Sequence, residues 1–132
     1  MFGELKMKTE DWLVEIIPDG DLLYMRIHAD FVERNSGDVR PGAFRDHGNG
    51  MSTNWNKYAG PEETRNRGVR EPEKNGVISF NVGRTRAINS LIVTHSPDVL
   101  KGNRAHTDVI GEKSVQVRLM LSEIYTWEIR TP

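Results

Sequence analysis

The segment Leu22–His28 constrains the fold more than any other stretch, because from residue 23 onward it alternates between apolar and polar side chains. Successive side chains of an extended strand point to opposite faces. One face carries Leu23, Met25 and Ile27 and requires a core, whereas the other carries Tyr24, Arg26 and His28. The polar face places a phenol, a guanidinium and an imidazole in one row, about 7 Å from one to the next. We therefore predict a strand that separates the core from a candidate site.

The length and composition of the chain favour one globular domain over residues 1–132. The residues are 36% hydrophobic and no apolar run reaches ten, so no transmembrane helix is expected. The N-terminal residues lack the basic flank and apolar segment of a signal peptide, and we expect a cytoplasmic protein of bacterial type. The absence of cysteine excludes disulfides, a thiolate nucleophile and Cys-ligated zinc.

The charge of the chain is nearly balanced, with a formal net charge of −1. A dedicated DNA-binding domain is usually strongly basic, so duplex DNA is not an expected partner. The charges are unevenly spread, because residues 1–35 hold four Lys or Arg against eight Asp or Glu. The remainder is faintly basic, which is compatible with a local anion site.

Residues 12–17 are predicted to form a first strand, with a short helix capped by Thr9 as the alternative. The next four residues, Pro-Asp-Gly-Asp, favour a turn, since Pro fixes φ and Gly accepts a positive φ. Strand, turn and strand would then form a hairpin that ends at His28.

Residues 35–75 are predicted to form a long, irregular polar loop, because no periodic pattern there lasts more than a few residues. A loop of that length is unusual in a compact domain, so short elements are expected inside it. Residues 42–45 favour a short strand, and residues 61–65 have the Pro-then-acid opening of a short helix. We interpret the loop as either functional or mobile.

Regular structure is predicted again after the loop. Residues 77–82, 91–95 and 105–110 favour strands, and residues 84–89 favour a helical turn. The segment from residue 112 fits both an alternating strand and a helix. Its length favours a helix of about three turns.

Three of the four histidines, His28, His95 and His106, fall in or at the ends of predicted strands, where sites commonly gather. Imidazole titrates near neutral pH and guanidinium holds phosphate through two hydrogen bonds, so together they suit acid–base chemistry on a phosphate. We predict these three as catalytic candidates; the alternative is that each is an ordinary buried or surface residue. No His-x-x-x-His or His-Glu-x-x-His spacing occurs, and no metal ligand is predicted.

Residues 40–70 interleave cationic with aromatic side chains. Cations hold phosphates while aromatic faces stack bases or nicotinamide, so the mixture suits a nucleotide or single-stranded nucleic acid. The predicted ligand-binding residues are Arg26, Arg45, Ser52, Trp55 and Tyr58. The alternative is a solvated loop whose arginines pair with glutamates. Neither Gly-x-Gly-x-x-Gly nor a Walker lysine occurs, so no Rossmann or P-loop enzyme is indicated and the cofactor stays open.

A series of short motifs runs along the chain: Arg-Ile-His-Ala-Asp-Phe-Val at 26–32, Ala-Phe-Arg-Asp at 43–46, Pro-Glu-Glu at 61–63 and Asn-Arg-Ala-His at 103–106. In this order they resemble a group of small uncharacterised bacterial proteins over most of the chain. The chain has Ala29 and Arg104 where the group is expected to have proline. The resemblance implies no activity.

In outline, a first strand bearing Arg or His, then a polar loop and a Ser-containing segment, is similar to ADP-ribosyltransferase folds. The Glu-x-Glu sequence of this chain, at residues 71–73, falls in the loop rather than at a late strand.

Together these patterns predict an α+β fold: a small mixed or antiparallel sheet of about five strands, a C-terminal helix packed on it, and a long polar central loop at one edge. Two classes of function follow. The first is a small enzyme or receptor that binds or processes a phosphate-bearing ligand such as a nucleotide, NAD or an RNA end. The second is a non-catalytic accessory or protein-interaction module. Neither class involves a membrane.

Overall fold

The computed structural model describes residues 12–132, which form one six-stranded sheet with helices packed on it. The strands are β1 (Leu22–His28), β2 (Met51–Trp55), β3 (Asn75–Asn81), β4 (Ile92–His95), β5 (His106–Ile110) and β6 (Thr126–Ile129). Their order across the sheet is β4-β5-β2-β1-β3-β6, and all neighbours are antiparallel. The segment that dominates the sequence pattern, β1, is therefore a central strand.

The α-helices are α1 (Pro61–Asn66), α2 (Val82–Arg86) and α3 (Val115–Ile124), and short 3₁₀ helices occur at Ala29–Phe31, Pro41–Ala43 and Pro72–Lys74. Both α2 and α3 begin at a side-chain cap, because Asn81 accepts from the N–H of Arg84 and Ser114 accepts from the N–H of Val117. No helix within residues 12–132 is both long enough and apolar enough to cross a membrane.

The apolar face of β1 lies in the core, as its alternation predicts. Leu23 and Ile27 are almost fully buried, and Met25 is buried beside them. In the register of the sheet, Leu23 lies opposite Trp55 of β2 on one side and Phe80 of β3 on the other. The same core cluster includes Val117 and Leu121 of α3.

The α+β class and the C-terminal helix are confirmed, but the sheet has six strands rather than about five. The sequence did not predict β6, which pairs with β3 at one edge. The strand has only four residues and is separated from α3 by Tyr125 alone. Such a short segment cannot show a clear alternation of apolar and polar side chains. The strands and helical turn expected between residues 77 and 110 are present as β3, α2, β4 and β5, with ends shifted by up to three residues.

Residues 35–75 contain β2, a strand that the sequence did not predict and that lies between β5 and β1. The expected strand at residues 42–45 is wrong, since this stretch forms a 3₁₀ turn that buries Phe44. The helix expected at residues 61–65 is confirmed as α1. The polar central segment is thus not a loop at an edge, because part of it runs through the middle of the sheet.

Residues 12–17 do not form the predicted strand, so no hairpin leads into β1. Ile17 is buried, but Leu13, Val14 and Ile16 are exposed, so this apolar run does not present one face to the core. Arg86 donates a hydrogen bond to the carbonyl of Ile17 (2.7 Å). The alternative helix cap, at residue 9, lies outside the described residues.

Glu15 anchors residues 12–17 to the sheet. Its carboxylate accepts hydrogen bonds from Lys57 Nζ (2.7 Å) and from the hydroxyl of Tyr58, and its N–H donates to Nδ1 of His95 (3.0 Å). The hydrogen bond from Lys57, followed by that from Tyr58, lowers the pKa of Glu15 because both favour the charged carboxylate. The segment is therefore held by polar contacts where the sequence predicted strand pairing.

We expect Ile27→Ala to lower the free energy of unfolding by about 2–5 kcal/mol, because truncating a buried aliphatic side chain leaves a cavity as well as losing transfer energy. The matched control is Ile92→Ala, since Ile92 is 60% exposed on the edge strand β4. This control should change the stability by no more than about 0.5 kcal/mol. Urea unfolding of both variants checks the assignment, and equal losses would show that the faces of β1 are assigned wrongly.

Glu15→Gln should reduce the fall of Tm with decreasing pH. The folded-state pKa of Glu15 lies below its usual value of 4.5, so the stabilising charge is present above that value and is lost as the pH falls through the folded-state pKa. Between about pH 7 and about pH 3, the variant should lose less Tm than the wild type. Glu112→Gln, at an exposed position, is the control and should keep the wild-type slope. An unchanged slope in Glu15→Gln would contradict the anchoring role.

Candidate functional site

A cleft of about 660 Å³ opens on the polar face of the sheet. Its floor comes from β1, β2 and β5, and its walls come from the end of α1 and from the β4–β5 loop. Small-ligand pockets commonly fall between about 300 and 1,000 Å³. A smaller cavity of about 380 Å³ between α2 and α3 is lined in part by Ile88, Met120 and Ile124 and contains no histidine. The larger cleft is therefore the candidate site.

The register of three strands builds the floor of the cleft. Tyr24 of β1 lies opposite Asn54 of β2, and Asn54 lies opposite His106 of β5. Two residues earlier on β2, Ser52 points to the same side and lies opposite Asp108. The period-two alternation of adjacent strands thus gathers polar side chains on one surface.

His106 is held in one tautomer by its neighbours. Its Nδ1 lies 3.0 Å from the carbonyl oxygen of Ser96, which can only accept, so Nδ1 carries the proton and Nε2 keeps a lone pair. The hydroxyl of Ser96, also 3.0 Å from Nδ1, donates its own proton to Asp108 Oδ2 (2.9 Å). Nε2 lies 3.4 Å from the hydroxyl oxygen of Ser52 and 3.9 Å from Asp108 Oδ1. The cleft therefore contains an imidazole base beside a hydroxyl.

Arg26 lines the cleft and also stabilises the end of α1. One of its terminal nitrogens donates to the carbonyls of Thr64 (3.4 Å) and Arg67 (2.8 Å), which belong to the last turn and the C-cap of the helix. A cation at a helix C-terminus is favourable because the exposed carbonyls carry partial negative charge. Partial desolvation of the guanidinium lowers the pKa of Arg26, although the residue as a whole is exposed.

Two further cations line the cleft, and they differ in their partners. Arg67 forms an ion pair with Glu63 (2.7 Å) and donates to carbonyls of the β4–β5 loop. Within residues 12–132 no carboxylate forms an ion pair with Lys101 or with Arg26. The carboxylate of Asp98 accepts from the backbone N–H of Lys101. The uncompensated cations make the cleft attractive to an anion.

Buried amides fix the floor of the cleft against its walls. Asn54 donates to the hydroxyl of Thr64 (3.1 Å) on α1 and accepts from Asn103 (2.9 Å) on the β4–β5 loop. All three side chains are buried, and buried polar groups that are satisfied by one another specify a unique arrangement. The distance between the two walls is thereby set by side chains that the sequence analysis did not single out.

Of the predicted site residues, Arg26, Ser52 and His106 line this cleft. Five others do not: His28, His95, Arg45, Trp55 and Tyr58.

His95 lies on the core face of the sheet and does not meet His106. It lies opposite Thr107 in the register, and Thr107 follows His106, so the two imidazoles point to opposite faces. Both ring nitrogens of His95 are in use: Nδ1 accepts from the N–H of Glu15 and Nε2 donates to the carbonyl of Arg104 (2.7 Å). The residue is 2% exposed, so His95 serves the packing of the core.

The predicted aromatic platform is also part of the core. Trp55 is 1% exposed and packs edge-on against His95, with ring centroids 5.1 Å apart. Tyr58 stacks on the His95 ring at 6.2 Å and also meets Trp55 edge-on, with ring centroids 5.4 Å apart. Neither side chain presents a free face to the cleft. Trp55 and Tyr58, which the sequence analysis took for a ligand-stacking surface, therefore serve core packing.

Arg45 and His28 have local structural contacts. The guanidinium of Arg45 lies 5.1 Å from the centre of the Phe31 ring. His28 accepts a hydrogen bond from the N–H of Asp30 (3.0 Å) and so caps the 3₁₀ helix that follows β1. These structural contacts account for the positions of Arg45 and His28 without a bound ligand.

The sequence analysis did not name several polar residues that line the cleft, among them Lys101, Asn54 and Asn103. His47 and Arg67 belong to the cation-rich stretch that was noted, but neither was named as a ligand-binding residue. Lys101 lies in a tight turn closed by hydrogen bonds between Asp98 and Asn103, so no strand period points to it. The turn itself, between two predicted strands, was the available signal.

Within residues 12–132 no group of three or more His, Asp or Glu side chains is arranged to hold a metal ion. Comparison with protein-family models found no match for this chain, and no curated protein or solved structure matches it either. The argument about function therefore rests on the cleft itself.

We expect His95→Leu to destabilise the fold by at least about 2 kcal/mol, because it removes the partners of the partly buried Glu15 N–H and Arg104 carbonyl, at about 1–3 kcal/mol for each unsatisfied group. The control is His28→Leu, since the His28 side chain is 42% exposed. That change should cost less than about 1 kcal/mol, the usual scale of a lost cap. Chemical unfolding of both variants provides the measurement. A similar loss in the two variants would contradict the core role of His95.

Proposed function

We propose that this chain binds a phosphate-bearing ligand, such as a nucleotide, NAD or an RNA end, in the cleft between α1 and the β4–β5 loop. The supporting observation is that Arg26 and Lys101 line one polar cleft without a carboxylate partner among residues 12–132. Cations without local compensation are stabilised by a bound anion, and a guanidinium suits a phosphate through paired hydrogen bonds.

The size and composition of the cleft favour a small phosphorylated ligand. Its volume of about 660 Å³ fits a ligand of nucleotide size, and Ser52, Asn54 and His106 add hydroxyl, amide and imidazole groups. Duplex DNA is disfavoured, since the net charge of −1 supplies no extended basic surface. Trp55 is excluded as a base-stacking surface by its burial, so the proposal concerns the phosphate end of the ligand.

The second candidate is a non-catalytic module that binds another protein. The observation that favours it is a set of exposed apolar side chains, Leu13, Val14, Ile16 and Leu100, the last of which is fully exposed beside Lys101. Exposed apolar residues in groups are typical of protein–protein contact sites. This candidate gives no role to the uncompensated cations, so we place it second.

Lys101 offers a cleaner test than Arg26, because Arg26 also holds the end of α1. We expect Lys101→Gln to weaken the binding of ADP, NAD or a 5′-phosphorylated oligonucleotide by roughly 10- to 100-fold, the usual effect of losing a charge-assisted bond. Lys74→Gln is the matched control: Lys74 is exposed, pairs with Glu71 and does not line the cleft. Titration calorimetry at low salt is the measurement, and the control should change the affinity by less than about twofold.

Two results would contradict the proposal. One is that the wild-type chain binds none of the phosphate ligands at millimolar concentration. The other is that the two lysine variants lose affinity equally. The first result, together with capture of a defined protein partner that is lost on changing Leu13 and Ile16 to Ser, would favour the second candidate.

A further inference from the structure

We infer that Ser52 is a nucleophile activated by His106, so that the cleft transfers a phosphoryl group from its ligand. The inference rests on the proposed function, because it assigns a reaction class to the same phosphate site. It starts from one contact: the Ser52 hydroxyl oxygen lies 3.4 Å from Nε2 of His106. In an unliganded site, hydroxyl–base hydrogen bonds are often this long and shorten when substrate binds.

The lone pair of His106 faces Ser52 because the opposite nitrogen is committed. The Ser96 carbonyl, 3.0 Å from Nδ1, can only accept, so the proton resides on Nδ1. Nε2 is then the basic nitrogen, and the Ser52 hydroxyl lies within hydrogen-bonding distance of it. A base held in the correct tautomer by a third group is the arrangement that activates a serine.

Asp108 is placed to stabilise the imidazolium that proton transfer creates. Its Oδ1 lies 3.9 Å from Nε2 of His106, and its Oδ2 is held by the hydroxyl of Ser96 (2.9 Å). Its side chain is only 9% exposed, so the carboxylate acts at low dielectric, where its attraction for a new positive charge is strong.

Ser52 differs from the neighbouring hydroxyl on the same strand. Thr53 donates to the carbonyl of Thr107 (2.8 Å) and is buried, so its hydroxyl is part of the fold. The Ser52 hydroxyl has no backbone partner among residues 12–132, lies at the surface of the cleft and faces the base. The Ser52 hydroxyl therefore contributes little to the fold and is positioned to react with a ligand in the cleft.

The reaction then proceeds in two balanced steps. The Ser52 oxygen gives its proton to Nε2 and forms a bond to phosphorus, while the bond from phosphorus to the leaving oxygen breaks. The leaving oxygen departs on the far side of phosphorus as an anion and takes a proton from water, while Nε2 keeps the proton of Ser52. The resulting hydroxide then attacks the phosphoserine from that far side, and the Ser52 oxygen leaves with the proton held on Nε2, which releases phosphate and restores the Ser52 hydroxyl. Arg26 and Lys101, which line the same cleft, stabilise the charge on the transferring phosphoryl oxygens.

A fluorophosphonate tests the nucleophile directly, because it resembles a phosphoryl group and loses fluoride when a serine attacks it. Intact mass spectrometry of the wild-type chain should show one added phosphonyl group, and fragmentation should locate it on Ser52. Ser52→Ala should abolish the adduct, and His106→Asn should slow its formation by at least about 100-fold, the usual contribution of a general base. Ser36→Ala, at an exposed serine outside the cleft, should label as the wild type does.

A cysteine variant supplies a second test that does not depend on the fit of the probe. The chain contains no cysteine, so Ser52→Cys carries a single thiol. With His106 as its base, this thiol should react with iodoacetamide near pH 6.5 at least about tenfold faster than the thiol of Ser36→Cys, although residue 36 is more exposed. Adding His106→Asn to Ser52→Cys should remove the difference.

The two proposals fail in different ways. Absence of a Ser52 adduct in the wild type, together with equal thiol reactivity at positions 52 and 36, overturns the nucleophile. If ADP still binds and binding still depends on Lys101, the phosphate site stands. Labelling of Ser52 in a chain that binds no phosphate ligand overturns the phosphate site, and the phosphoryl assignment falls with it. Labelling at Ser52 that is unaffected by His106→Asn overturns the role of the base.

Discussion

The pairing of β2 with β5 on one side and with β1 on the other is the interaction on which the core and the cleft both depend. Residues Met51, Thr53 and Trp55 turn to the buried face, and Ser52 and Asn54 turn to the cleft. Because side chains on a strand alternate strictly, a slip of one residue would bury the polar pair and expose the Trp55 ring. The pairing that builds the core therefore also fixes which side chains of β2 face the cleft.

How far the sequence predicts this fold depends on whether a pattern is local. The buried face of β1 can be assigned from Leu23, Met25 and Ile27 alone, because their alternation with polar residues lies within the strand itself. Residues 12–17 contain an equally apolar run, yet only Ile17 is buried, since competition among segments for the core is decided by the whole chain. The strand β2 was missed for the opposite reason: its alternate residues are Ser52 and Asn54, which are typical of loops, and their strand conformation comes from pairing on both sides.

The candidate site shows the same division. Arg26, Ser52 and His106 were predicted from residue type, and all three line the cleft. Lys101 and Asn103 were not, because they lie in a turn and reach the cleft only through contacts that are distant in sequence, such as the hydrogen bond from Asn103 to Asn54. Missing Lys101 affects the description of the charge in the cleft. Arg26 donates two hydrogen bonds to backbone carbonyls, so Lys101 is the cation with the fewest contacts within the fold.

The two histidines of the paired strands β4 and β5 explain how one residue type gives a core contact in one case and a candidate base in the other. Backbone groups occupy both ring nitrogens of His95, whereas the backbone occupies only Nδ1 of His106. The difference depends on register, because His95 lies opposite Thr107 rather than His106. Two hydrogen bonds between Asp98 and Asn103 (2.9 Å each) and one from the N–H of Ser96 to the carbonyl of His106 (2.9 Å) close the β4–β5 loop and fix that register. The loop that carries Lys101 to the cleft is thus also the element that leaves the Nε2 lone pair of His106 facing Ser52.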